Sequence, residues 1–173
     1  MKKFILLITI FCFCLSAQEL FKDPQFKHKE KYWILKKKPE FSKVKPRFSR
    51  NLFTIQTPHS SESFYLSLIT EVDVKPGETY ELNISTLAQG EGELRFSLVS
   101  RPPLDLKAKK IKLNRFVPMG LTKNVSPQKT WQNHSYTFTA KELASKEHRP
   151  HISIQFGAFH GKFQIKDLHL TKL

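Results

Sequence analysis

Past residue 17 the chain contains no cysteine, because its two, Cys12 and Cys14, both sit inside an apolar N-terminal run. No internal disulfide can hold the remainder together, so stability must come from a buried core. A helical period of useful length is also missing, and only Ala140 to Lys146 could form a short helical turn. That absence argues against bundles and α/β folds. No serine nucleophile elbow, phosphate-binding glycine loop or HExxH sequence is present. The seven histidines are scattered, and in His148-Arg149-Pro150-His151 the proline prevents a helix from presenting both imidazoles on one face. Spacing suggests no third ligand, so neither a metal nor a cofactor is expected. Glu81 and Glu93 have only an assumed strand geometry to recommend them as a glycosidase pair. The chain reads as a non-enzyme.

What is present begins with a leader. Lys2 and Lys3 precede the apolar run Phe4 to Leu15, too short to span a bilayer but the right size for a secretory signal, and Ala17 offers a cleavage site. Cleavage follows Ala17 or falls one residue earlier, since Leu15 is a poor residue three positions before the first cut. Gln18 stands where a lipoprotein would have cysteine, which argues against a lipid anchor. The expected organisation is a signal peptide over 1–17 and one domain over 18–173, secreted or periplasmic, with no transmembrane segment in the mature chain. Two formal glycosylation sequons, at Asn83 and Asn133, fall in expected strands of a bacterial-looking protein and are read as coincidence.

Fifteen phenylalanines, two tryptophans and four tyrosines supply bulk for a core, and their neighbours alternate. Tyr80, Leu82 and Ile84 share one face, as do Leu94, Phe96 and Leu98, and again Ile152, Ile154 and Phe156. Leu52 to Thr57 and Phe64 to Val74 read as further strands. Lys75-Pro76-Gly77-Glu78 and Gln89 to Gly92 read as turns. After Phe163 and Ile165 the apolar positions become Leu168 and Leu170, so an extra residue must be absorbed near Lys166-Asp167 as a bulge. Short strands with no intervening helices predict an all-β, antiparallel two-sheet sandwich of jelly-roll type. Its core should contain Tyr80, Leu82, Leu94, Phe96, Ile152, Ile154 and Phe156, with Leu20 to Asp23 beside Phe163 to Leu170.

Formal net charge is +14, and it is unevenly placed. Lys22 to Arg50 carries eleven basic and three acidic residues, and Arg101 to Lys129 carries eight and one. Between them, residues 51–100 hold Lys75 and Arg95 against seven carboxylates. A polyanion would therefore meet the two basic segments, with Lys36, Lys37, Lys38, Lys109, Lys110 and Lys112 as contacts.

Four motifs, in order, carry a resemblance. Leu20-Phe21-Lys22-Asp23-Pro24-Gln25-Phe26 followed by Trp33, then Val74-Lys75-Pro76-Gly77-Glu78-Thr79-Tyr80, then Trp131 to Phe138, and lastly Phe163-Gln164-Ile165-Lys166-Asp167-Leu168 are similar to the jelly-roll carbohydrate-binding modules of the family 4, 9 and 22 type. The resemblance implies the same fold and places Trp33 and Trp131 in the framework, packed against the sandwich. Such modules often hold a structural calcium through a Glu after the first-strand phenylalanine and an Asp of the closing pair. Lys27 and Lys166 stand there instead, so no metal is expected, and Lys166 should pair Asp23 or a main-chain carbonyl.

For carbohydrate contact the candidates are Asn83, Arg95, Gln155 and Phe159, which point opposite to the core set in the expected register. Amide, guanidinium and aromatic groups are what a groove needs to bind hydroxyls and stack on a pyranose. The expected function is a secreted, non-catalytic carbohydrate-binding module for acidic, sulfated or uronate-rich polysaccharides. The competing reading is an extracellular structural or adaptor sandwich that lost its sugar site and binds a protein or a cell-surface polyanion. Export and the lack of an RNP or OB-like signature disfavour nucleic acid.

Overall fold

A computed structural model describes residues 18–103 and 116–173. Residues 1–17, read above as a signal peptide, and Lys109, Lys110 and Lys112 lie outside the described residues. Among these residues ten strands form two antiparallel sheets. They are β1 (Ile34–Lys37), β2 (Arg47–Ser49), β3 (Leu52–Thr57), β4 (Leu66–Glu71), β5 (Thr79–Gly92), β6 (Leu94–Arg101), β7 (Val117–Val125), β8 (Gln128–Thr139), β9 (Arg149–Gln155) and β10 (Phe159–Lys172). The first sheet runs β1-β4-β9-β6-β7 and the second β2-β3-β10-β5-β8. This is the two-sheet sandwich that the alternation demands.

Every expected core residue is buried: Tyr80, Leu82, Leu94, Phe96, Ile152, Ile154 and Phe156 all lie between the sheets. Alternation drives this, since apolar side chains at every second position can be removed from water together only if both sheets turn those faces inward. Trp33 is fully buried against Phe21 and Phe26, with ring centroids 5.8 and 5.0 Å away, and its Nε1–H donates to the Asp23 carbonyl at 2.9 Å. The Leu20 amide donates to the Leu170 carbonyl at 2.9 Å, placing the first segment on the last strand as expected.

The bulge lies where the hydrophobic phase changes. Lys166 pairs Ser85 and His169 pairs Asn83, so Asp167 and Leu168 together oppose Ile84. Asp167 adopts a φ of 50°, and its carboxylate accepts a 2.8 Å hydrogen bond from Asn51, itself at a φ of 57°. Leu168 is thereby returned to the core.

Three local expectations differ. Phe64 and Tyr65 belong to a 3-10 turn, Ser63–Tyr65, so the strand begins only at Leu66. Ala140 to Lys146 forms no helix. Gln89 to Gly92 does not turn but continues β5 along β10, with Gly90 opposite Gly161. A Cβ at Gly90 would lie 2.0 Å from the His160 carbonyl oxygen, so the glycine serves close strand approach. Gly77, by contrast, occupies its expected turn with a φ of 81°.

Candidate functional site

The four residues chosen for sugar contact do not form one site. Asn83 lies on β5 in the second sheet, and its amide donates to Glu81 at 2.8 Å. Phe159 is fully buried, because β10 starts with that side chain turned inward toward Phe163, and it cannot stack on a ligand. Arg95 and Gln155 do belong together, as cross-strand partners on β6 and β9 in the first sheet.

The outer face of that first sheet is built by strand register. One row runs Lys36, Ser67, Gln155, Arg95 and Asn124; the next runs Ile34, Ile69, Ser153, Ser97 and Thr122. Beyond these, Glu71, His151 and Val99 align, followed by Arg101 opposite Arg149. Small hydroxyl side chains thus occupy the middle of the face, with cations and amides around them. Apart from the His151 imidazole, the strand positions of these rows carry no aromatic ring.

Much of this face is removed from bulk water. Gln155 is buried and accepts a hydrogen bond from Ser63 at 3.1 Å, whereas Arg95 is half-buried and donates from Nε to Asn124 at 3.0 Å. Lys36 has its pKa lowered to about 8, first by burial and then by the charges of Arg101 and Lys38. His151 has none of its surface exposed, and burial chiefly lowers its pKa to about 4, with Arg101 adding to the effect. Its Nδ1 lies 2.8 Å from the Arg149 carbonyl, so Nδ1 carries the proton and Nε2 is left as a lone-pair acceptor. Arg101 is only 5% exposed. Among the described residues its Nε and the His151 Nε2 are buried polar atoms without a hydrogen-bond partner, the Glu71 Oε2 lying 3.9 Å from the latter.

Sequence reasoning missed Arg101 and His151 as members of the site. The signal was available for Arg101: it continues the odd-numbered outer set Arg95, Ser97, Val99, but the following Pro102-Pro103 made it look like the start of an irregular basic segment. The lysine run also divides. Lys36 faces the site, whereas Lys37 Nζ donates to the Ser42 and Val44 carbonyls at 2.7 and 3.0 Å and Lys38 lies 5.3 Å over the Tyr65 ring.

Trp131 does not pack into the sandwich. It shares the outward parity of Asn133 and Ser135 on β8, half-buried under Lys166, whose Nζ lies 4.6 Å from its ring centroid. Lys166 is also 3.8 Å from the Asp167 carboxylate and does not pair Asp23. Both Asp23 oxygens instead accept main-chain amides, from Lys27 and His28, at 2.8 Å. These residues do not fit a calcium ion: the carboxylate is already capped by donors, and two ammonium side chains replace oxygen ligands. Among the described residues no group of three His, Cys, Asp or Glu could hold a metal.

The architecture has solved counterparts. A CBM4 module superposes with a TM-score of 0.67 at 11% identity, covering 88% of this chain and 99% of that one. The fold is the jelly roll of the carbohydrate-binding modules. The second N-terminal cellulose-binding domain of Cellulomonas fimi β-1,4-glucanase C gives 0.63 at 18% identity, over 91% of this chain and 95% of its own. A putative sugar-binding protein from Bacteroides thetaiotaomicron gives 0.61 at 10% identity, over 90% and 100%. No family model matches the sequence, and no curated protein matches it.

Proposed function

We propose that the protein is a secreted, non-catalytic glycan-binding module whose ligand lies along the outer face of the first sheet, with a preference for acidic polysaccharides. The observation that carries this reading is the composition of that face: serine hydroxyls and an amide on rigid strands, bordered by Lys36, Arg95 and Arg101, with Glu71 the one carboxylate in the rows described. Rigid strands hold donors and acceptors at fixed spacing, as recognition of sugar hydroxyls requires. With no Phe, Tyr or Trp in the rows and the His151 ring buried, stacking contributes little there and charge must supply affinity. The sandwich shared with cellulose-binding and xylanase-associated modules supports a carbohydrate ligand.

A glycan array read at two salt concentrations tests this. Sulfated or uronate-rich polymers should bind above cellulose and xylan, and binding should weaken as salt screens the cations. Equal binding of neutral and acidic polymers at low salt would remove the preference. Binding to every polyanion alike, sugar or not, would favour the adaptor reading. No binding to any glycan would overturn the module itself.

A further inference from the structure

We propose that a cleft between the turn over residues 26–29 and the β2-β3 turn binds a tetrahedral oxyanion ester, a sulfate or phosphate group carried on a sugar ring. The site is separate from the outer face of the first sheet, so the two stand or fall independently. The cleft has a volume of about 500 Å³ and is lined by Phe26, Lys27, Lys29, Phe48, Ser49 and Arg50. Three cations and a hydroxyl border it, and none of these residues is a carboxylate. Phe26 and Phe48 form its apolar floor, the first buried and the second half-buried, with ring centroids 6.1 Å apart. The first turn leads into β1, at one edge of its sheet, whereas residues 104–115 join β6 to β7 at the other.

The backbone holds these walls in place. Three non-glycine residues in the two turns adopt left-handed φ values, 54° at Phe26, 49° at Lys29 and 57° at Asn51. Such conformations persist where surrounding bonds fix them, and they gather at binding sites. Those bonds are present: both Asp23 carboxylate oxygens accept amides, from Lys27 and His28, at 2.8 Å, and the Asn51 amide joins the turns by donating to the Gln25 carbonyl at 2.9 Å. The bases of the three cationic side chains therefore cannot drift apart. A cleft bordered by one sign of charge concentrates counter-ions. Three separate cations suit an anion that spreads its charge over three outward oxygens, as an ester sulfate or phosphate does, whereas a planar carboxylate is matched by one guanidinium fork. The volume falls within the range of small-ligand sites and exceeds what the oxyanion alone needs, and the ring floor suits the apolar face of a pyranose.

Calorimetric titration with galactose 6-sulfate, glucose 6-phosphate, glucuronate, galactose and inorganic sulfate compares the parent with the double variant Lys27→Gln/Arg50→Gln and with Lys36→Gln, which alters the outer face of the first sheet. At low salt one or both esters should bind at least about tenfold tighter than galactose, glucuronate or the sulfate ion, and should weaken as salt rises. The tighter ester identifies the group that the cleft takes. The double variant should lose about tenfold in ester affinity while melting at the parent temperature, because both side chains are exposed, and Lys36→Gln should bind the esters as the parent does. Esters bound no better than galactose or glucuronate overturn the proposal, as does ester binding that survives the double variant. Loss of ester binding in Lys36→Gln alone would move the anion to the sheet face and overturns it equally. Inorganic sulfate bound as tightly as the esters overturns the sugar-borne ligand.

Discussion

His151 makes one hydrogen bond where a neutral imidazole can make two, and its ring is wholly enclosed. Charging it inside the fold is therefore costly. The folded pKa of about 4 lies below the ordinary 6.5, so the unfolded chain binds the extra proton first as pH falls. Stability from this group is intact above about pH 6.5 and is lost between there and pH 4, on the order of 3 kcal/mol in all. Urea midpoints measured from pH 7 to pH 4 should fall, and His151→Gln should flatten that decline. The two tryptophans give a second expectation. Trp33→Ala should cost about 3–5 kcal/mol through an unfilled core site, whereas Trp131→Ala should cost about 1 kcal/mol or less, the scale of an exposed cation–π contact. Comparing the two denaturation midpoints checks this. The resemblance to carbohydrate-binding modules placed both tryptophans in the framework, and the structure bears this out for Trp33 but not for Trp131, whose outward parity depends on where β8 meets β5. Phe159 was misread although its signal is local, since it shares the odd-numbered parity of Phe163 and Ile165 along β10 and so turns inward with them.

At the scale of the element, β10 shows what a sequence can reveal unaided. The change from Phe163 and Ile165 to Leu168 and Leu170 is a local phase shift, so the bulge was legible before any partner strand was known. The device that holds it was not, because Asn51 lies 116 residues from Asp167. Asp167 tolerates its φ of 50° partly because its carboxylate is held by that amide. Asp167→Val, a β-branched residue in the same conformation, should destabilise by about 1–3 kcal/mol. Asp167→Gly relieves the strain while losing the hydrogen bond, and should stay within about 1 kcal/mol of the parent. Denaturant titration of both separates strain from bonding. The lysine run behaves similarly: composition showed its charge, but the Lys37 bonds to the Ser42 and Val44 carbonyls appear only once the turn after β1 is folded. Lys36→Gln should thus weaken acidic-glycan binding several-fold, and Lys37→Gln should leave it nearly unchanged. Surface binding kinetics on one acidic polymer distinguishes the two.

Across the whole molecule both sheets carry cations among the described residues, Lys162, Lys166 and Lys172 on the second, and the difference lies in the carboxylates. The first sheet presents Lys36, Arg95 and Arg101, while on the second Glu19, Glu78 and Glu81 hold hydrogen bonds with His169, Lys172, Asn83 and Ser135. The class of fold was readable from strand phases, yet the face that matters depends on strand order, which composition cannot supply. That order also governs how the chain comes to be folded. The centre of the second sheet is its last strand, with β3 on one side and β5 on the other. Gln164 on β10 bonds to Thr54, a partner made 110 residues earlier. Until residues 159–172 emerge, β3 and β5 have no template between them, and the inner faces of both stay uncovered. Closing pairs so distant in sequence is slow, in the millisecond-to-second range of other β-sandwiches. A chain that emerges N-terminus first therefore stays without the middle of its second sheet until residues 159–172 are present.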